Sequence, residues 1–146
     1  MLSINRFDSY EQLNNTYKKQ QIVDFLYVHL DKFGDSKDAI GKCLDYAFSD
    51  LGGFLLTAEY DNNLVGALII NNTNMKDYIP EHILVYVAVD ADYRGKGIGK
   101  QIVERALKEC NGNVKLHVEY ENPAKRLYER IGFTSKYAEM RFNKEK

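Results

Sequence analysis

Arg94-Gly95-Lys96-Gly97-Ile98-Gly99 places three glycines within five residues, with Arg94, Lys96 and Lys100 beside them. The run lies between an apolar stretch, Ile83 to Val89, and helical periodicity that starts at Ile98, so it reads as a turn feeding a helix N-terminus. Backbone can approach a ligand closely there. The first helical N–H groups also point outward at the positive end of the helix, without intrahelical partners. A pyrophosphate is the guest that suits this chemistry. Two familiar glycine motifs fail on spacing. Dinucleotide sites need G-x-G-x-x-G and an acidic ribose partner about 20 residues on, but here the third glycine follows after one residue. A Walker loop needs glycine at position 94 and Ser or Thr at position 101, which are Arg94 and Gln101.

The elements that position this turn follow from periodicity. Leu2 to Phe7 alternates as a first strand. Ser9 and Gln12 form a capping box that opens a helix, with apolar positions from Ile22 to Leu30 and no glycine or proline before Gly34. Asp35 or Ser36 caps a second helix carrying Ile40, Cys43, Leu44, Ala47 and Phe48, stopped by Gly52-Gly53. Phe54 to Tyr60 and Leu64 to Ile70 make a hairpin about Asp61-Asn62-Asn63. Ile83 to Val89 is apolar throughout and predicts a central strand covered on both faces. After the glycines, Ile98, Ile102, Val103, Ala106, Leu107 and Cys110 share one helical face as far as Asn111-Gly112-Asn113. Val114, Leu116 and Val118 alternate with Lys115, His117 and Glu119, which predicts a strand parallel to the central one. Asn122 as cap, Pro123 at the first helical position and Gly132 past Ile131 frame a short helix. Phe133 and Ser135 to Phe142 supply one or two closing strands. The expectation is a single α/β domain over residues 1–146: a mixed, strongly twisted sheet of six or seven strands with about four helices on its two faces.

Composition narrows the function. With 146 residues, 45% hydrophobic, the chain is sized for one core. A net charge of −1 gives no global attraction to nucleic acid or an anionic membrane, so the bases near the glycines speak for a small anion. No apolar stretch approaches the ~18 residues of a membrane span. Cys43 and Cys110 lack any CxxC pairing and read as reduced small hydrophobes, which fits a cytoplasmic protein. No His, Cys and carboxylate cluster has metal spacing, so no metal is expected. Exposed closing strands would be the surface for a homodimer.

The arginine-anchored pattern [R/Q]-x-x-G-x-[G/A] is filled by Arg94, Gly97 and Gly99 after an apolar strand. This resembles the GNAT superfamily of acetyl-CoA-dependent N-acyltransferases. Asn122-Pro123-Ala124, Leu127-Tyr128-Glu129 and Ile131-Gly132-Phe133 resemble that family's second signature segment. The resemblance is dense from Ile83 to Phe133 and loose in the helical first third, where such proteins build acceptor sites. It implies acetyl transfer from acetyl-CoA to a primary amine by direct attack, with the pyrophosphate on backbone N–H groups from Arg94 through Gly95, Lys96, Gly97, Ile98 and Gly99 to Lys100. The pantetheine would run along Val87, Ala88 and Val89, beside a splay of the central strand, and Asn122 would add a contact. Tyr128 takes the place of the general acid that protonates the leaving thiolate. Glu81 and His82, before the central strand, are the candidates for the base, with His117 and Glu119 as alternatives. Asp77, Glu81, Glu119, Glu121 and Glu139 would favour a cationic acceptor: a polyamine, an aminoglycoside or a lysine-like group. The competing readings are a non-catalytic acyl-CoA sensor and, disfavoured by the glycine spacing, a nucleotide-binding protein.

Overall fold

Asp61 and Asn62 adopt φ of 51° and 67°, the left-handed values that a two-residue hairpin turn requires. They join β2 (Gly53–Tyr60) to β3 (Asn63–Asn72) in an antiparallel pair. This is a computed structural model, and it describes residues 1–145. The chain divides into two units, Met1–Leu116 and His117–Lys146.

The first unit holds a five-stranded sheet in the order β1-β2-β3-β4-β5, where β1 is Leu2–Phe7, β4 is His82–Val89 and β5 is Val114–Leu116. The first four strands are antiparallel and β5 lies parallel to β4. Strand alternation sends side chains to two helical layers. Leu55, Ala67, Ile69, Tyr86 and Ala88 join a core with residues of α2 (Lys19–Leu30) and α3 (Lys37–Ala47), among them Ile22, Leu26, Ile40 and Leu44. On the other face, Gly66 leaves room for Ile102 of α4 (Ile98–Glu109): a Cβ at Gly66 would lie 3.7 Å from the Ile102 Cδ1. The fold class is the expected mixed α/β sheet with helices on both faces.

Two features differ from the periodicity. The expected first helix is two, α1 (Tyr10–Leu13) and α2, because the capping chemistry occurs twice. Ser9 Oγ accepts from Gln12 N while Gln12 Oε1 accepts from Asp8 N, and Gln21 Oε1 repeats the move on Lys18 N at 2.8 Å. The sheet also has five strands rather than six or seven, since β5 ends at Leu116 and residues 133–142 form no strand. A strand is held by a partner and a buried face. Tyr137, Met140 and Phe142 are instead 82%, 90% and 87% exposed, interleaved with Lys136, Glu139 and Arg141. The surface expected for a homodimer, those closing strands, is therefore not formed among the described residues.

In the second unit, α5 (Ala124–Ile131) ends at Gly132 as its sequence predicts but starts one residue later, with Pro123 at the cap position rather than the first helical one. Asn122 Oδ1 accepts from Ala124 N at 2.9 Å, and Gly132, at φ 128°, donates to the Tyr128 carbonyl. Neither cysteine is bonded. Burial raises the Cys43 thiol to about 12 and the Cys110 thiol to about 11, so both stay protonated at neutral pH. Among the described residues no helix is long and apolar enough to cross a membrane, and no group of three or more His, Cys, Asp or Glu could hold a metal ion.

Candidate active site

The β3–β4 register slips by one residue: Ile69 pairs with Tyr86 but Ile70 pairs with Leu84, so Val85 is an extra residue in β4. A bulge of this kind re-aims the side chains that follow it. Leu84 shares the face of Ile70, whereas Tyr86 shares that of Ile69, the face covered by α2 and α3. β4 is thus buried at alternate positions rather than uniformly on both faces as expected. Pairing with β5 also stops here, at Leu84 opposite Leu116. Among the described residues the Val85–Val89 edge has no strand partner on that side, so the main-chain groups that alternate away from β3 there make no ladder hydrogen bond.

The strand delivers this edge into an anchored turn. Asp90 N donates to the carbonyl of Val65, itself the extra residue of a bulge in β3, at 2.8 Å. Asp90 Oδ1 accepts from Asp92 N, and Tyr93 N closes back on the Asp90 carbonyl. Gly95 and Gly97 both adopt φ 80°, and a Cβ at either would meet nothing within 4 Å. The glycines are needed for backbone conformation, and the space before them is open. Gly97 caps α4 with no side-chain bond, so the N–H groups of Ile98, Gly99 and Lys100 begin the helix without intrahelical acceptors. Buried Ile98 plugs this end into the core.

The Arg94 side chain is engaged within the protein. Its Nε donates to the Val89 carbonyl at 3.3 Å and its Nη2 to the His29 carbonyl at 2.9 Å, so the guanidinium ties the turn to β4 and to the C-terminus of α2. Lys96 and Lys100 are exposed beside the glycines. The two kinds of cation should respond differently to salt, because the screening length falls from roughly 30 Å at 0.01 M to roughly 3 Å at 1 M. CoA titrations should find Lys96→Ala weakened at low salt and close to wild type at high salt. Arg94→Ala should be weakened at both, through loss of the turn's shape; equal salt sensitivity would refute the distinction.

His29 was not among the residues that sequence singled out, yet it closes the turn from outside. Its Nδ1 accepts from Ala91 N at 3.3 Å, and its Nε2 lies 3.6 Å from Asp90 Oδ2. Beyond it, α2 ends at Asp31 with φ 54°, a conformation rare outside glycine. Tyr27, Val28, Asp31, Gly34, Asp35 and Ser36 line an open cleft of about 610 Å³. Tyr86, re-aimed by the bulge, donates its hydroxyl to Asp35 Oδ2. Burial first, and Asp35 second, raises the Tyr86 phenol, so it remains a donor. The cleft carries two carboxylates that sequence reasoning did not assign; Asp35 had been read only as a helix cap, a role that Ser36 fills by accepting from Ala39 N.

Glu81 and His82, the candidate bases, stand at the opposite end of β4, a rise of roughly 23 Å from Val89 at a strand's usual spacing. Glu81 Oε1 accepts from Asn113 N at 3.1 Å. Backbone hydrogen bonds hold its carboxyl below the usual range, which makes it a weaker proton acceptor. His82 is buried, with Nδ1 2.8 Å from Asn72 Oδ1 and Nε2 3.3 Å from Asn111 Oδ1. Both residues help to fasten the start of β4 to the segment before β5. In the second unit, Tyr128 is 8% exposed, its ring edge-on to Phe133 at 5.8 Å, and burial raises its phenol to about 12. Asn122 precedes the Pro123 cap of α5 and accepts from Ala124 N. His117 and Glu119 lie outside β5.

The acetyltransferase (GNAT) domain pattern matches residues 52–135. A 5-NmdU N-acetyltransferase of Pseudomonas phage PaMx11 is 29% identical over 84 residues, a stretch that covers 56% of this chain and 58% of the relative. The likeness to that relative thus spans little more than half of its length. Among solved structures, the ribosomal-protein-alanine N-acetyltransferase of Brucella melitensis biovar Abortus 2308 superposes with a TM-score of 0.66 at 18% identity, covering 98% of this chain and 99% of that one. An aminoglycoside N-acetyltransferase solved with CoA gives 0.69 at 17% identity, covering 99% and 95%. At such identities the likeness to the solved structures is one of fold.

Proposed function

This chain belongs to the GNAT acetyltransferase family, and from that membership we propose that it transfers the acetyl group of acetyl-CoA directly to the primary amine of a small cationic acceptor. One observation carries this reading. At the Val85 bulge the β5 pairing ends at Leu84 and Tyr86 turns onto Asp35, so the strand with the unpaired edge also holds one carboxylate of the acidic cleft. The edge suits the amide-bearing arm of CoA as an added strand, and the glycine turn suits its pyrophosphate. The cleft suits an ammonium group: Asp31 and Asp35 supply charge, and Tyr27 an aromatic face. Similar proteins carry names with acceptors as unlike as 5-NmdU, a ribosomal protein's alanine and aminoglycosides. The acceptor is therefore best read from this chain's own cleft.

Direct attack is also what the nucleophile inventory favours, since neither cysteine offers a thiolate at neutral pH. The amine nitrogen bonds to the acetyl carbon, its proton leaves to water, and the carbon–sulfur bond breaks. A main-chain N–H near Val87 or Ala88 steadies the carbonyl oxygen as it gains charge. Tyr128 is proposed for the departing sulfur on its place in the family's second segment. A phenol at about 12 is a weaker acid than an alkyl thiol of roughly 8.5. Its contribution is therefore a hydrogen bond to the developing thiolate more than a completed proton transfer.

Thiol release from acetyl-CoA, followed across polyamines, aminoglycosides and peptide N-termini, tests the reading. Cationic amines should turn over, and Asp35→Asn should raise the KM for the amine well above any change in the KM for acetyl-CoA. Tight CoA binding with no acceptor turned over would leave the sensor reading instead.

A further inference from the structure

We infer that His29 is a positioning residue that couples occupancy of the glycine turn to order in the amine cleft. The inference rests on the functional reading above and goes beyond it, because it concerns communication between two places on the first unit. The last turn of α2 belongs to both. On one side His29 accepts from Ala91 N through Nδ1, faces Asp90 through Nε2, and accepts Arg94 Nη2 on its carbonyl. On the other side its neighbours Tyr27, Val28 and Asp31 line the cleft. Since Nδ1 is the acceptor, the ring proton sits on Nε2, toward the Asp90 carboxylate. Phe25 holds the ring in place at 4.6 Å.

Asp31 makes this junction sensitive. A non-glycine residue at φ 54° and ψ −131° persists only where its surroundings over-determine it. The Asp31 carbonyl accepts from Gly34 N at 3.3 Å, and the contacts of His29, two residues earlier, tie this end of α2 to the glycine turn. A diphosphate that immobilises the turn fixes the Ala91 N–H and the Arg94 guanidinium, and through them the end of α2. The cleft then has less disorder to lose when the amine arrives, so the two ligands favour one another without any large movement.

Amide hydrogen exchange on the full chain, with and without CoA, tests this. In the wild type CoA should slow exchange at residues 95–100 and also at residues 31–36. His29→Leu should keep the first effect and lose the second, and it should raise the KM for the amine more than it lowers kcat. His29→Asn should restore both, because the Asn Oδ1 can take the place of Nδ1 as acceptor for Ala91 N. Arg94→Ala, which breaks the same link from the turn side, should uncouple residues 31–36 as well and serves if His29→Leu does not fold. Undiminished protection of residues 31–36 in both His29→Leu and Arg94→Ala overturns the coupling. Protection confined to 95–100 in the wild type does so too, with the functional reading intact. No protection anywhere by CoA overturns both.

Discussion

Gly97→Val is expected to lower CoA affinity more than about 100-fold, on the loss of two or more charge-assisted hydrogen bonds, while leaving a folded protein. Gly97 holds φ 80° at the cap of α4, where a residue with a Cβ carries roughly 1–2 kcal/mol of strain, and valine's branching leaves few rotamers to relieve it. The pocket wall itself would tolerate the change, since a Cβ there meets nothing within 4 Å. The new side chain would instead fill the open side of the turn, where the Ile98, Gly99 and Lys100 N–H groups point. Calorimetric titration with CoA beside a melting curve separates the outcomes. Retained affinity with an unchanged melt would show that the diphosphate rests elsewhere.

Tyr128→Phe should cut turnover by about 100-fold, the lower range for loss of one hydrogen-bond donor to developing negative charge, with CoA affinity nearly unchanged. The substitution keeps the ring that meets Phe133 edge-on, so the second unit should hold its packing. The pH dependence sharpens the test. Burial raises this phenol from 10.0 to about 12, so the folded protein holds the proton more tightly than the unfolded chain does. The associated stability is complete below the unfolded value near 10 and is lost as pH rises through about 12. Tyr128 therefore remains a donor across the neutral range. Below pH 10, any rise of wild-type turnover with pH should track deprotonation of the acceptor amine, and Tyr128→Phe should keep the same slope at a lower level. Unchanged turnover in that variant would remove the residue from the chemistry.

The glycine turn, the hairpin and α5 were legible in the sequence because each rests on chemistry confined to a few neighbours. Gly95 and Gly97 are there for positive φ, Asp61 and Asn62 likewise, and Asn122 and Gly132 satisfy helix ends within four residues of themselves. The break between α1 and α2 was legible in principle, since Gln21 repeats the capping role of Gln12, but a dense apolar run from Ile22 masked it. What could not be read depended on partners far along the chain. Arg94 looks like a phosphate ligand until the His29 carbonyl, 65 residues away, claims its guanidinium. Asp35 gains a role only through Tyr86, 51 residues on, and Tyr86 reaches it only because Val85 is an extra residue in β4. The contacts that Glu81 makes with Asn113, and His82 with Asn72 and Asn111, likewise come from residues 10 to 32 positions away. The closing strands show the converse, since β-rich composition at residues 135–142 forms no strand without a partner.

Val85 also constrains how this chain can change over time. Side chains along a strand alternate with a period of two, and the extra residue shifts that phase once, between Leu84 and Tyr86. Deleting Val85 would make Leu84 and Tyr86 neighbours and leave each on the face that Ile70 and Ile69 already fix, whereas straightening the strand with Val85 in place would swing Tyr86 to the α4 layer. A one-residue deletion should therefore be accepted at Val85, whereas elsewhere inside the strand only even steps keep every side chain on its face.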